Sequence, residues 1–247
     1  MLGTAALVFM LDTIVISSIE TDTKTPNLVI AALAFLSVTI LLIATAPVSG
    51  GHINPTVTLS SALLGLISPA RASVYVLAQC VGGGIEQEFS LGGCTLTVVA
   101  PGPGGGPATI GIDPSSGLWI EIICSFVFLY ASIWVAFDGR QAKAHGILVV
   151  CVIIGAVVGL LVFVSTTLTA KKGYSGAGMN PARCLGPALV RGGHLWDGHW
   201  VFWVGPIIAC VAFYLYVKII PRQIFHGEED HKYDFLTTLK LVMGLRE

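Results

Sequence analysis

The sequence predicts an all-α membrane protein: six transmembrane helices and two re-entrant half-helices, arranged as an inverted internal repeat. Composition is the first reason. Only 11% of the 247 residues are charged and 54% are hydrophobic, with a mean hydropathy of +0.83, whereas a soluble domain carries roughly 25% charged residues. The second is the spacing of apolar runs, each near the ~20 residues that a membrane crossing needs. The third is an Asn-Pro box that interrupts this pattern twice, at 54–55 and 180–181. A net charge of −1 gives no electrostatic footprint for nucleic acid.

The expected spans are Leu2–Ser18, Leu28–Ala46, Pro69–Ile85, Leu118–Phe137, Gly146–Ser165 and Trp200–Ile220. The first does not read as a secretory leader, because no basic stretch precedes it and Asp12 interrupts it. The third is short: its 17 residues give about 25 Å of helix. Two further stretches, NPTVTLSSALLGLI at 54–67 and NPARCLGPALV at 180–190, cannot cross ~30 Å of hydrocarbon and fit re-entrant segments. Each opens with Asn, a favoured helix cap, followed by Pro, whose missing N–H costs nothing at the first helical position.

These stretches also expose the repeat. SGGHINPTVTLSSALLG and SGAGMNPARCLGPALV align without gaps, and GTAALVFML and CSFVFLYAS begin the first span of each half. Three spans per half is an odd number, so the halves insert with opposite orientation, a transport architecture. One channel domain is expected over 1–220, with halves 1–85 and 118–220 joined by an outer loop 86–117, and a cytoplasmic tail 221–247. Orientation rests on Arg71, Arg140, Lys143, Lys218 and Arg222 at span ends on one side, while 86–117 has neither Lys nor Arg. The positive-inside rule places the first group and the C-terminus in the cytoplasm. Lys171, Lys172 and Arg191 fall outside and weaken the contrast.

Irregular backbone at membrane depth survives only where it is packed in protein or lines a watery cavity. Two half-helices entering from opposite faces would meet tip to tip, and their free N–H groups would make a positive focus. Asn54 and Asn180 each offer amide donors toward that point. Carbonyls of extended segments 49–53 and 175–179 would supply acceptors along the path.

At these residues the chain resembles the aquaporin, or major intrinsic protein, family, over roughly residues 2–220. Both Asn-Pro boxes match, with Thr56 and Ala182 in third position. LGGC at 91–94, NPARC at 180–184 and Thr56 are similar to the plant X-intrinsic subfamily. The resemblance implies a pore centre at Asn54, Pro55, Thr56, Asn180, Pro181 and Ala182, where half-helix dipoles exclude protons and cations as in aquaporin-type pores. It also implies an outer filter of Arg183, Ala177 and Ala34, with the fourth position at Val162 to within a turn. Ala, Ala and Val leave space and offer no donors, which favours glycerol, urea, hydrogen peroxide or boric acid, with water a further candidate. Arg183 is the charge expected to reject cations. Glu121 matches the family's span glutamate that supports the outer half-helix loop. Tetramers in lipid, of this chain alone or with relatives, and a plasma-membrane location are implied too.

Plainer readings stand beside these. Asn54 and Asn180 could be caps alone, and Arg183 could pair with a lipid phosphate. His52 could gate with pH or simply hold the inner loop, the second being favoured. Asp12 falls near the outer vestibule without an assigned role. His194 and His199 lack metal-ligand partners. APGPGGGP at 100–107 lacks the Lys-Ser/Thr of a phosphate loop. Cys80, Cys124, Cys151 and Cys210 lie in spans as packing residues, whereas Cys94 and Cys184 share the outer, oxidising side, where a disulfide or redox gate is an option. No cofactor, metal or catalytic set is expected. The first half has no counterpart of Glu121 and the tail matches nothing, so a truncated, non-conducting subunit assembled with relatives is the alternative to a channel. A coupled transporter ranks lower, because coupling uses intramembrane carboxylates and only Asp12 and Glu121 qualify.

Overall fold

The computed structural model describes residues 1–84, 93–101, 106–137, 139–168 and 173–219. The tail 221–247 with Arg222, the basic pair Lys171 and Lys172, and the expected ends of spans three and six at Ile85 and Ile220 lie outside them. The described chain forms α1 (Leu2–Glu20), α2 (Pro26–Ser49), α3 (Pro55–Leu63), α4 (Pro69–Gly84), β1 (Thr97–Pro101), β2 (Pro107–Gly111), α5 (Pro114–Phe137), α6 (Gly139–Leu168), α7 (Pro181–Arg191), a single 3₁₀ turn (Gly193–Trp196) and α8 (Val201–Ile219).

Helix starts follow the sequence closely. Pro occupies the first turn of α2, α3 and α7. Ahead of α4, the Ser68 hydroxyl accepts the Arg71 N–H at 3.3 Å. Asp113 caps α5, accepting the Ser116 N–H at 2.9 Å. Hydrogen bonds from the Ser115 hydroxyl, the Ser116 N–H and the Ser116 hydroxyl hold its carboxyl well below the usual carboxylate range. Gly146, at φ +72°, breaks α6 where the sequence places the start of the fifth span.

Among the described residues four helices are long and apolar enough to cross a membrane by length and composition: Pro26–Ser49, Pro114–Ala136, His145–Leu168 and Gly193–Ile219. The other two expected spans fall below that length. The apolar part of α1 is Leu2–Ser18, and α4 has 16 residues. The expected outer loop 86–117 carries an antiparallel hairpin pairing Thr97 with Gly111 through Pro101 with Pro107. Ala100, Pro101 and Pro107 of the glycine-rich run sit in those strands.

Packing reproduces the repeat. α1 packs on α2 and α4 as α5 packs on α6 and α8; α3 lies on α8 as α7 lies on α4; and α2 crosses α6, its own counterpart. The α4–α7 crossing is close because both sides are glycine: a Cβ on Gly186 would overlap the Gly83 carbonyl, and one on Gly83 would overlap that of Ala182.

Candidate functional site

The two half-helix tips meet through a reciprocal exchange of hydrogen bonds. Asn54 caps α3 by accepting the Thr56 N–H at 2.8 Å, and its Nδ2 donates to the Met179 carbonyl at 3.0 Å. Asn180 caps α7 by accepting the Arg183 N–H at 3.3 Å, and its Nδ2 donates to the Ile53 carbonyl at 3.2 Å. Each Asn therefore orders its own helix and ties it to the opposite half. The Thr56 hydroxyl adds a second donor to the Met179 carbonyl at 3.0 Å.

Different groups hold the two loops. Both Glu121 carboxylate oxygens accept backbone N–H groups of the outer loop, from Gly178 and, at 3.0 Å, from Met179. The Ser165 hydroxyl accepts the Ala177 N–H at 3.0 Å. On the inner side His52 Nδ1 lies 3.2 Å from the Thr58 hydroxyl. Gln79 Nε2 donates to the His52 carbonyl at 2.7 Å and to the Thr58 hydroxyl at 2.9 Å. The inner segment is shorter than the expected 49–53, since Ser49 still belongs to α2 and Gly50 is its left-handed cap.

A cavity of about 750 Å³ runs along this junction, from Asp22 and Thr23 in the α1–α2 turn to Gly50, Gly51 and Ala136. Asn54 and Asn180 line it, as do Ala34, Val162, Ala177 and Arg183. Thr166, one turn beyond Val162, lines it too. Pro55, Thr56, Pro181 and Ala182 do not; they are buried in the half-helices behind the wall. Glu121, His52, Cys94 and Cys184 also stand off the cavity.

Arg183 is held from two sides. One terminal nitrogen donates to Cys94 Sγ at 3.0 Å, and the other lies 3.8 Å from Asp12 Oδ1. Cys94 and Cys184 form a disulfide with Cα atoms 5.0 Å apart, closing 90 residues of sequence. Cys80, Cys124, Cys151 and Cys210 are free thiols, and Cys210 Sγ donates to the Thr56 carbonyl at 3.3 Å. His199 is buried, its Nδ1 3.2 Å from the Leu195 carbonyl. Among the described residues no group of three or more His, Cys, Asp or Glu side chains could hold a metal ion.

Comparison with known sequences gives this arrangement its family. The model of the Major intrinsic protein family matches residues 1–216. The chain belongs to the major intrinsic protein family. It is an integral, multi-pass membrane protein. Similar members include aquaporin PIP1-2 of Musa acuminata subsp. malaccensis, 34% identical over 194 residues, covering 74% of this chain and 63% of the relative. Aquaporin TIP4-1 of Zea mays is 34% identical over 209 residues, covering 81% and 74%. The chain thus spans less than two thirds of the PIP1 relative's length. In fold it is similar to the aquaglyceroporin of Plasmodium falciparum, with a TM-score of 0.68, 20% identity, and 90% and 95% of the two chains covered.

Within this major intrinsic protein frame, sequence reasoning missed Gln79, Thr58 and Met179, and left Asp12 without a role. Gln79 carried a signal, being an amide inside an apolar span where unsatisfied polar groups are costly. Met179, at φ +52°, carried none, because its backbone is bent by long-range bonds.

Proposed function

We propose that the chain is a passive channel for small uncharged solutes: glycerol, urea, hydrogen peroxide and boric acid, with water as a further permeant. The observation that carries it is the Asn54–Asn180 junction on the cavity wall. Each carboxamide NH₂ has two hydrogens. One is committed to the carbonyl of the opposite half, which fixes the amide and leaves its second hydrogen for a passing hydroxyl. A solute at the junction exchanges water for these donors and for carbonyls of the flanking loops, so it crosses without losing all its hydrogen bonds.

Charge is refused by the same device. The amino ends of α3 and α7 converge on one point, and their dipoles make it positive. A cation or excess proton meets that field, whereas a neutral polyol does not. Ala34, Ala177 and Val162 offer no donors and little bulk, so a three-carbon polyol fits where a filter with a large aromatic side chain would hold water alone. Resemblance to the X-intrinsic subfamily implies the same solutes. The aquaporin names of the relatives support channel activity, and the PIP1 relatives support a plasma membrane location. A tetramer with one pore per subunit, a cytoplasmic C-terminus and the absence of enzymatic activity belong to the same proposal.

Proteoliposomes carrying this chain alone test it. Swelling in iso-osmotic glycerol, lost in Asn54→Ala and Asn180→Ala vesicles with the same protein content, is the expected result. Correctly folded wild-type protein that passes neither glycerol nor water would overturn it and favour a non-conducting subunit that needs relatives.

A further inference from the structure

Asp12 is buried in α1, 1% exposed. Its neighbours Leu7, Leu11 and Val15 line the cavity, but Asp12 does not, so it stands behind the wall. Its Oδ1 is 3.8 Å from an Arg183 terminal nitrogen, and Arg183 does line the cavity. A carboxylate this buried is costly unless its charge is matched. Glu121, the other fully buried carboxylate nearby, binds the Gly178 and Met179 N–H groups with its two oxygens. Asp12 is a charge partner of Arg183 at this end of the cavity, Glu121 also feels the guanidinium charge, and Cys94 Sγ holds the guanidinium from the other side.

We propose that Asp12 is a specificity-determining positioning residue: it offsets the Arg183 charge and holds the guanidinium against the wall, so that the outer filter repels cations little and attracts anions little. A lone guanidinium here would stand in series with the positive tips of α3 and α7, and two positive foci along one path would draw small anions in. Pairing removes the first focus, and discrimination against charge falls to the Asn54–Asn180 junction. The assignment deepens the channel proposal and rests on it.

The test uses D12N, D12E, R183V and D12N/R183V in full-length protein, with nitrate as the probe anion. D12N keeps the side-chain shape and removes the charge. It is expected to raise nitrate permeability, read from dilution potentials in proteoliposomes, by at least about fivefold. That is the factor corresponding to the ~1 kcal/mol of two unit charges 4 Å apart in bulk water. Glycerol swelling should persist, D12E should behave like the wild type, and D12N/R183V should fall back to the wild-type nitrate level. Unchanged nitrate permeability in folded, glycerol-permeable D12N, or a double variant as leaky as D12N, overturns the assignment. Thermal melts of the same four proteins and the wild type in detergent supply a readout independent of transport. The cost of D12N should differ between the wild-type and R183V backgrounds, and additive shifts overturn the pair itself. Absence of glycerol swelling by the wild type overturns the channel proposal instead.

Discussion

Removing the Glu121 carboxylate should loosen the outer half of the channel in two graded steps. Its oxygens receive the Gly178 and Met179 N–H groups, and the side chain is fully buried, so water cannot replace either bond. A buried donor left unpaired costs about 1–3 kcal/mol. Glu121→Ala orphans two and should cost about 2–6 kcal/mol. Glu121→Gln retains one acceptor but turns its NH₂ toward the second donor, so about 1–3 kcal/mol is expected. The effect reaches the junction directly, because the Met179 carbonyl receives both Asn54 Nδ2 and the Thr56 hydroxyl. Thermal melts in detergent should rank wild type above Glu121→Gln above Glu121→Ala, and glycerol swelling should fall in the same order. A Glu121→Ala protein that melts and conducts like the wild type would refute the account of how this loop is held.

Asn180→Asp removes the donor to the Ile53 carbonyl and puts a negative charge at the junction; glycerol swelling should drop and a cation leak should rise in dilution-potential measurements. Thr56→Ala deletes one of two donors to the Met179 carbonyl, so melts should show a loss of only about 0.5–1.5 kcal/mol with swelling retained. Gly186→Ala drives a methyl into the Gly83 carbonyl, whereas Gly84→Ala meets nothing within 4 Å. Size-exclusion profiles should show aggregation or unfolding for the first and wild-type behaviour for the second. Non-reducing peptide mapping should recover Cys94 joined to Cys184, with the remaining four thiols labelled after denaturation. Cys94→Ser should lower the melting temperature, since a loop of this length is worth roughly 4–5 kcal/mol in the chain-entropy model.

Local signals carried most of the fold into the sequence. Asn-Pro fixes a cap and a first turn within four residues, so α3 and α7 begin where Asn54 and Asn180 predict. Apolar length fixes a span, and Gly146 marks the break in α6. The hairpin at 97–111 escaped because its strands are five residues each and flank a glycine run that reads as loop. At the site, Asn54, Asn180, Arg183, Ala177 and Ala34, named from the boxes, line the cavity, whereas Pro55, Thr56, Pro181 and Ala182 stand behind its wall. What remained hidden was the second layer. Nothing local to Gln79 says that it will reach the His52 carbonyl 27 residues away, and nothing near Asp12 points to Arg183. Such partners are chosen by helix packing, which one sequence records only as an unexplained polar group in an apolar run.

That second layer breaks the symmetry of the repeat. Each half sends an Asn whose Nδ2 donates to a carbonyl of the other half, yet the outer loop is gripped by the Glu121 carboxylate and the Ser165 hydroxyl, and the inner by Gln79, Thr58 and His52. The outer end that holds Arg183 also holds buried acids from both halves: Asp12 of the first lies beside the guanidinium, and Glu121 of the second binds the loop that leads to it. A fixed cation at the outer end needs fixed anions close by, because each ion is costly to bury alone. Among the described residues the inner end carries no such cation on the cavity wall, and an amide, a hydroxyl and an imidazole hold its loop. Gln79, from α4, supplies to the inner loop the kind of support that Glu121, from α5, supplies to the outer one.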